Sequence, residues 1–290
     1  MKRAVTQRWM LWFASLLALI AAYTIVASRV ARPDLLPPSM DIADAFTALV
    51  SGPRPAQAMM PMDPAHEGHH HHTSDQVETL QQQGVTLQMS IAISFARVLF
   101  GLVVGLPLGI LIGLWMGYSR RIDGYLHPIY ILVRSIPPLA LITYIMLWLG
   151  HSEAHRLIPI VYAVATTAVI PTYHGVRDVA AKYVVAARSL GARGMRLLTS
   201  VLLPAASPAV LGGLRFSIAI AWMTAVGAEM LMADNGMGNL LVGGGMWASR
   251  LQTRSDPAVI IVGIVALAAA GWTMDRAAQL ATARLTPWVR

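Results

Sequence analysis

The stretch MMPMDPAHEGHHHH, residues 59–72, brings two kinds of metal ligand together. Met59, Met60 and Met62 offer soft thioethers, and His66, His69, His70, His71 and His72 offer imidazoles, a mixture suited to copper in either oxidation state and, through histidine, to zinc or nickel. The same composition describes a low-complexity loop that takes up metal adventitiously, so the tract carries a metal-handling reading without defining a site. His151 and His155 have the i, i+4 spacing of a helical metal pair with Glu153 between them, but no third defined ligand accompanies them. His127 and His174 stand singly at the ends of apolar runs and read as packing or interfacial groups. The chain contains no cysteine, which excludes disulfides, thiolate metal sites and cysteine nucleophiles.

Ionisable residues inside apolar runs are costly and tend to be functional, and Arg97, Arg134, Arg215 and Glu229 qualify by position. Arg97, Arg134 and Glu229 are candidates for lining a pore or gate; for Arg134 and Arg215 the plainer reading is a side chain reaching for lipid headgroups. No paired carboxylates, intramembrane histidine cluster or nucleophile elbow is present, which argues against a membrane-embedded enzyme. The phosphate-binding pattern G-x-x-x-x-G-K-[ST] is absent as well, so the chain is not expected to hydrolyse ATP or to carry a cofactor of its own.

The elements that position these residues are apolar helices. Of the 290 residues 56% are hydrophobic and only 12% charged, outside the range of a globular domain. Six runs approach the roughly 20 apolar residues that a bilayer crossing needs: Trp9–Ser28, Ile91–Gly117, Tyr125–Gly150, Leu157–Gly175, Pro208–Met232 and Pro257–Met274. The expected fold is therefore an all-α membrane protein of about six transmembrane helices. The first run follows Lys2, Arg3 and Arg8 and exceeds the apolar part of a cleaved signal peptide, so it is read as an anchor.

Placing the N-terminus in the cytoplasm puts most basic residues inside. They are Lys2, Arg3 and Arg8; Arg120 and Arg121; Arg177, Lys182, Arg188, Arg193 and Arg196; and Arg276, Arg284 and Arg290. Arg29, Arg32, Arg54, Arg156, Arg250 and Arg254 fall outside, and this imbalance puts both termini in the cytoplasm. The net charge of +8 reports this orientation rather than a nucleic-acid partner. The resulting organisation is an anchor over residues 1–28, a periplasmic segment over 29–90, a core over 91–275 with a cytoplasmic loop at 177–207, and a tail over 276–290. Within the second run, Gly101, Gly105, Gly109, Gly113 and Gly117 recur every fourth residue, a flat stripe for close helix packing, and Pro107 is expected to bend the helix.

The loop at 177–207 is basic and glycine-interrupted. Ala180, Tyr183, Val184, Ala187 and Leu190 fall on one helical row opposite Asp178, Lys182 and Ser189. Gly191 suits the left-handed position that ends a helix. A second short helix is expected from Arg193 towards Leu203, with Pro204 marking the return to the membrane. Taken alone, such a hairpin is either an interfacial element facing anionic lipid or a docking device.

Ala186, Ala187, Gly191, Val201, Leu203 and Pro204 resemble, in type and spacing, the "EAA" signature of permease subunits of bacterial ABC importers. The resemblance extends to RSIPPLALITYIMLWLG (134–150), GVRDVAAKYVVAARSLGA (175–192), LPAASPAVLGGLRFSIAIAWMTAVGAEMLMADNGMGNLL (203–241) and LLPPSMDIADAF (35–46), in the manner of the nitrate, sulfonate, taurine and bicarbonate branch. It implies a type I importer permease that dimerises to form a pore for a small solute, most readily an anion such as a sulfonate, taurine or nitrate. It also implies an ATP-hydrolysing cytoplasmic subunit docked at residues 184–204, a periplasmic solute-binding protein, and a bacterial inner-membrane location. Val185 stands where the signature has its acidic residue, which leaves coupling to apolar docking and to Arg188, Arg193 or Arg196.

Overall fold

The computed structural model describes residues 21–25, 37, 39–51, 86–232, 235–242 and 257–285. The chain divides into two compact units, residues 1–87 with 253–265, and residues 88–252 with 266–290. In the first, α1 (Ser39–Ser51) buries Ala45 and Leu49, and the Tyr23 hydroxyl donates to the Pro37 carbonyl at 2.9 Å. The remaining helices are α2 (Leu87–Tyr118), α3 (Arg120–Arg134), α4 (Pro138–Leu149), α5 (Glu153–Arg177), α6 (Ala181–Ser189), α7 (Gly194–Leu197), α8 (Leu203–Met232), α9 (Met237–Val242) and α10 (Pro257–Leu285). Among the described residues four helical stretches are long and apolar enough to cross a membrane, and the bent pair α3–α4 makes a fifth. The first apolar run lies outside the described residues apart from positions 21–25, and the Met/His tract lies wholly outside them.

The glycine stripe is where α2 meets α5. A Cβ on Gly105 would sit 2.8 Å from the Val161 carbonyl oxygen, one on Gly109 2.3 Å from that of Ala165, and one on Gly113 2.6 Å from that of Val169. Gly101 meets Ile160 and Gly117 meets Val176, so the two helices advance in step and run parallel. Gly175 of α5 meets Ala206 and Ala209, and Gly213 of α8 meets Pro171, so α8 runs antiparallel to α5. Val98 and Leu102 of α2, Ile160 and Val164 of α5, and Ile218, Ala221, Trp222 and Ala225 of α8 close into one core with Ala270 and Met274 of α10.

Because α2 and α5 are parallel, the chain between them must return across the bundle. The sequence reads this return, Tyr125–Gly150, as one run; the structure breaks it by 78° between α3 and α4. The break falls at Ser135–Pro137, where Pro137 and Pro138 have no N–H to continue the helical ladder. The Val133 carbonyl still accepts from the Ile136 N–H at 3.1 Å, and the Tyr162 hydroxyl, within reach of both carbonyls, supplies to that of Ile136 the donor that lipid cannot. Asp123 at the start of α3 accepts from Tyr173 at 3.1 Å and from Arg177, and Tyr130 donates to the Thr166 carbonyl at 2.8 Å, so α3 descends along α5 in the opposite sense.

A second expectation is corrected at Pro204. The short helix α7 does not stop there, but passes through a π turn, Leu198–Leu202, into α8, giving a continuous helical stretch from Gly194 to Leu231. In the wide turn the Leu203 N–H bonds the Leu198 carbonyl, five residues back, so the register has already shifted where Pro204 enters. The Pro107 bend is not needed to end α2, which runs unbroken to Tyr118.

The stripe makes a stability prediction. Gly109→Val places a branched side chain against a carbonyl already 2.3 Å from its first carbon, and should cost several kcal/mol, at the severe end of overpacking. Gly124→Ala, with no atom within 4 Å, should leave the melting temperature in detergent unchanged or slightly raised. Equal melting of the two variants would show that the close approach of α2 to α5 is not what limits stability.

Candidate functional site

At the end of the bundle where α2 and α5 begin and α8 ends, four charged side chains meet. Arg97 donates through Nη1 to Glu229 Oε1 at 2.8 Å, and through Nη2 and Nε to the two oxygens of Glu153 at 2.7 and 3.2 Å. Arg156 donates through Nη1 to the same Glu153 and through Nη2 to the His151 carbonyl at 3.2 Å. Glu229 is fully buried, Arg97 and Arg156 nearly so, and Glu153 is half exposed. Two guanidinium groups thus balance two carboxylates in a place where any unmatched charge would be expensive.

The second oxygen of Glu229 accounts for the glycines of the ADNGMGNLL stretch. It accepts from Ser94 Oγ at 2.8 Å and from the Gly238 N–H at 2.9 Å, while Ser94 Oγ in turn accepts from the Met237 N–H at 2.9 Å. Arg97 also reaches Asn235, through its carbonyl at 3.2 Å and its side-chain oxygen. Gly236 has φ +101°, and a Cβ there would lie 2.6 Å from the Glu229 carboxyl carbon; one on Gly238 would lie 2.4 Å from the Val226 carbonyl oxygen. The chain therefore folds back over the end of α8, with α9 presenting its first N–H groups to a buried carboxylate and its hydroxyl partner. Sequence reasoning singled out Arg97 and Glu229 separately; nothing in their spacing announces that they pair, and Glu153 stands out in the sequence only as lying between His151 and His155. Glu153 faces the arginines, and His155 lies 3.3 Å from the Gly150 carbonyl through Nδ1.

At the opposite end, α5 runs into the basic loop. Helix α6 ends in a Schellman arrangement: the Gly191 N–H bonds the Arg188 carbonyl at 3.0 Å, the Ala192 N–H bonds that of Ala187 at 2.9 Å, and Gly191 has φ +85°. Val184 and Ala187 pack with Leu197, Leu198 and Leu202 onto Leu114 and Val176, the last turns of α2 and α5, and Val201 joins them. Ala186, Arg188, Gly191, Arg193, Leu203 and Pro204 are exposed. Three of the five residues of the expected apolar row stay out of the core, Ala180 with Tyr183 at 55% and Leu190 at 89% exposed, and Val185 and Met195 project as well.

The other candidates are dispersed. Arg134 is exposed at the α3–α4 break and takes no part in the charge network. Arg215 is turned across to α10, where its fork meets Asp275 at 2.9 and 3.1 Å. His127 lies 3.3 Å from Asp123 and tilts onto Tyr173, which His174 meets edge-on. Among the described residues no group of three or more His, Asp or Glu side chains is arranged to hold a metal.

A bundle of long apolar helices, one of them broken, with charges neutralised inside it, defines a multi-pass membrane protein. The chain belongs to the binding-protein-dependent transport system inner membrane component family, whose model matches residues 105–287. It is a permease of the ABC importer class, in the taurine and sulfonate branch, and not an enzyme acting chemically on its substrate. It is 32% identical to the taurine transport system permease protein of Escherichia coli (strain K12), over 70% of this chain and 71% of that one. It is 31% identical to the putative aliphatic sulfonates transport permease protein of Bacillus subtilis (strain 168), over 68% and 69% of the two chains. Its fold is similar to that of the MetNI methionine ABC transporter in an inward facing conformation, with a TM-score of 0.51, 20% identity, and coverage of 70% of this chain and 94% of that one.

Removing one partner of the buried network should be worse than removing both. Arg97→Leu strands Glu229 and is expected to cost about 3–5 kcal/mol, seen as a lower melting temperature of the purified protein. The double variant Arg97→Leu with Glu229→Leu should recover part of that loss. Additive losses in the double variant would mean that the two side chains do not stabilise one another.

Proposed function

We propose that this chain is the pore-forming subunit of an ATP-driven importer of the bacterial inner membrane, that it works as a homodimer, and that it takes a small sulfonate, taurine or a related anion such as nitrate from a periplasmic binding protein. ATP is consumed by a cytoplasmic partner, which docks on residues 184–204. The observation that carries the docking reading is the division of that segment into two faces. Val184, Ala187 and Val201 are tied into the bundle, while Tyr183, Val185, Leu190 and Met195 project from it with Arg188, Arg193 and Arg196 among them. An apolar knob rimmed by arginines is what an acid-rimmed apolar groove on a partner would receive. Val185, exposed where the family signature carries an acid, contributes contact area in place of a charge.

On this reading the charge network at the far end of α5 and α8 stands at the outer mouth, where it fastens the turn at Asn235–Gly238 over the end of the bundle. The sulfonate assignment rests on the relatives named above, two of which are described as taurine and aliphatic sulfonates permeases.

The test is co-expression with the ATPase of the same transport system, followed by affinity purification and an ATPase assay. Leu190→Asp, which puts a charge on a side chain that is 89% exposed, should leave the permease folded but reduce ATPase recovery about ten-fold or more, in line with the loss of an apolar anchor. Full recovery and full activity with Leu190→Asp and with a variant lacking residues 185–196 would overturn the docking assignment.

A further inference from the structure

A cleft of about 1240 Å³ opens between α4, α8 and α10. Its walls are almost entirely apolar, with Phe216, Met223 and Met230 along one face of α8 and Leu139 opposite them on α4. Arg215 and Asp275 are the two charged residues that line it. Their pairing differs from the one at Arg97. The Arg215 side chain is 52% exposed and that of Asp275 31%, whereas Glu229 is sealed. An Arg reaching for headgroups would extend along its helix; this one turns sideways, giving Nε and Nη2 to the two oxygens of Asp275. Gln279 donates to Asp275 Oδ2 at 2.6 Å, so the carboxylate keeps a partner when the guanidinium moves away.

Resting on the permease reading above, we propose that the Arg215–Asp275 pair reads the solute inside the membrane, and that it favours small zwitterions, with an anionic head and an ammonium group, over plain anions. The reason is charge balance. A plain anion that takes Arg215 leaves the half-exposed Asp275 carboxylate beside an apolar wall with only Gln279 and the field of neighbouring Arg276, and brings a second negative charge next to it. A zwitterion exchanges both partners at once: its sulfonate or carboxylate accepts from the guanidinium fork, its ammonium donates to Asp275, and the site remains neutral throughout. The short apolar stem between the two charges then lies against the apolar wall beside Phe216. Gly271, one turn before Asp275 on α10, has no atom within 4 Å of where a Cβ would be, which leaves room beside the carboxylate.

Taurine and ethanesulfonate differ only by the ammonium group and make the test. Binding of each radiolabelled probe is measured to the purified permease–ATPase complex without the binding protein, so that the permease's own preference is read. The wild-type complex should hold taurine about ten-fold or more tightly than ethanesulfonate, the scale of one charge-assisted hydrogen bond. Asp275→Asn, which keeps acceptor and shape, should bring the ratio close to one while ethanesulfonate binding persists; Arg215→Gln should abolish binding of both. Persistence of ethanesulfonate binding in Asp275→Asn separates reading from scaffolding, because loss of a structural pair would weaken both probes alike. An unchanged ratio in Asp275→Asn, or an assembled complex that binds neither probe, would each overturn the inference and leave the permease reading standing. Failure of the complex to assemble with wild-type chain would instead strike that earlier reading.

Discussion

The fold depends on one close approach, that of α2 to α5. Carbonyl oxygens of Val161, Ala165 and Val169 occupy the space where side chains of Gly105, Gly109 and Gly113 would begin. In an apolar solvent no hydrophobic force drives helices together, so backbone proximity and dispersion must supply the attachment. The approach also fixes direction. Two consecutive long helices that pack in parallel require a returning segment, and the returning segment here is broken because its proline pair cannot sustain a ladder. Tyr162, projecting from α5, compensates at the break by donating to the Ile136 carbonyl.

From that pair the two ends of the bundle acquire different chemistry. One end is closed by a neutral set of four charges whose carboxylates are saturated by guanidinium groups, a hydroxyl and a backbone N–H. Such a set tolerates no vacancy, which is why Gly236 and Gly238 cannot carry side chains: the chain must come close enough to donate an N–H to Glu229. The other end is closed by Leu114, Val176, Leu197, Leu198 and Leu202, apolar contacts that are individually weak and replaceable. Polar closure specifies one geometry; apolar closure is less directional.

Much of this is legible in the sequence. Apolar run length marks five spans, the four-residue glycine period marks the packing face of α2, and the residue type at Gly191 marks a helix stop that the structure realises at φ +85°. What escaped the sequence was long-range pairing. Arg97 and Glu229 are separated by 132 positions, and Arg215 and Asp275 by 60, so no local period links them. The break at Ser135 was hidden because a proline pair in an apolar run reads either as a tolerated kink or as a stop, and only the donor on Tyr162 decides between them. Pro204 was misjudged for the converse reason: a widened turn five residues long has no sequence signature, yet it removes the clash that a proline normally brings.

The distribution of tight and loose contacts limits how the protein can rearrange. Helices α2 and α5 interlock through backbone atoms, and a slide along the stripe would drive Cα atoms into carbonyls, so these two must move as one body. Helix α8 is joined rigidly to the loop through the π turn and to Glu229 at its far end, about 39 Å along the axis from Leu203 at a rise of roughly 1.5 Å per residue. The projecting loop and the carboxylate of Glu229 thus lie on one helical stretch, Gly194–Leu231, with a π turn and two prolines near its start. Helix α4, between the Pro137 break and Gly150 at φ +81°, is held instead by side chains, Ile142 and Ile145 against Ala228 of α8, and forms one wall of the cleft that contains Arg215 and Asp275.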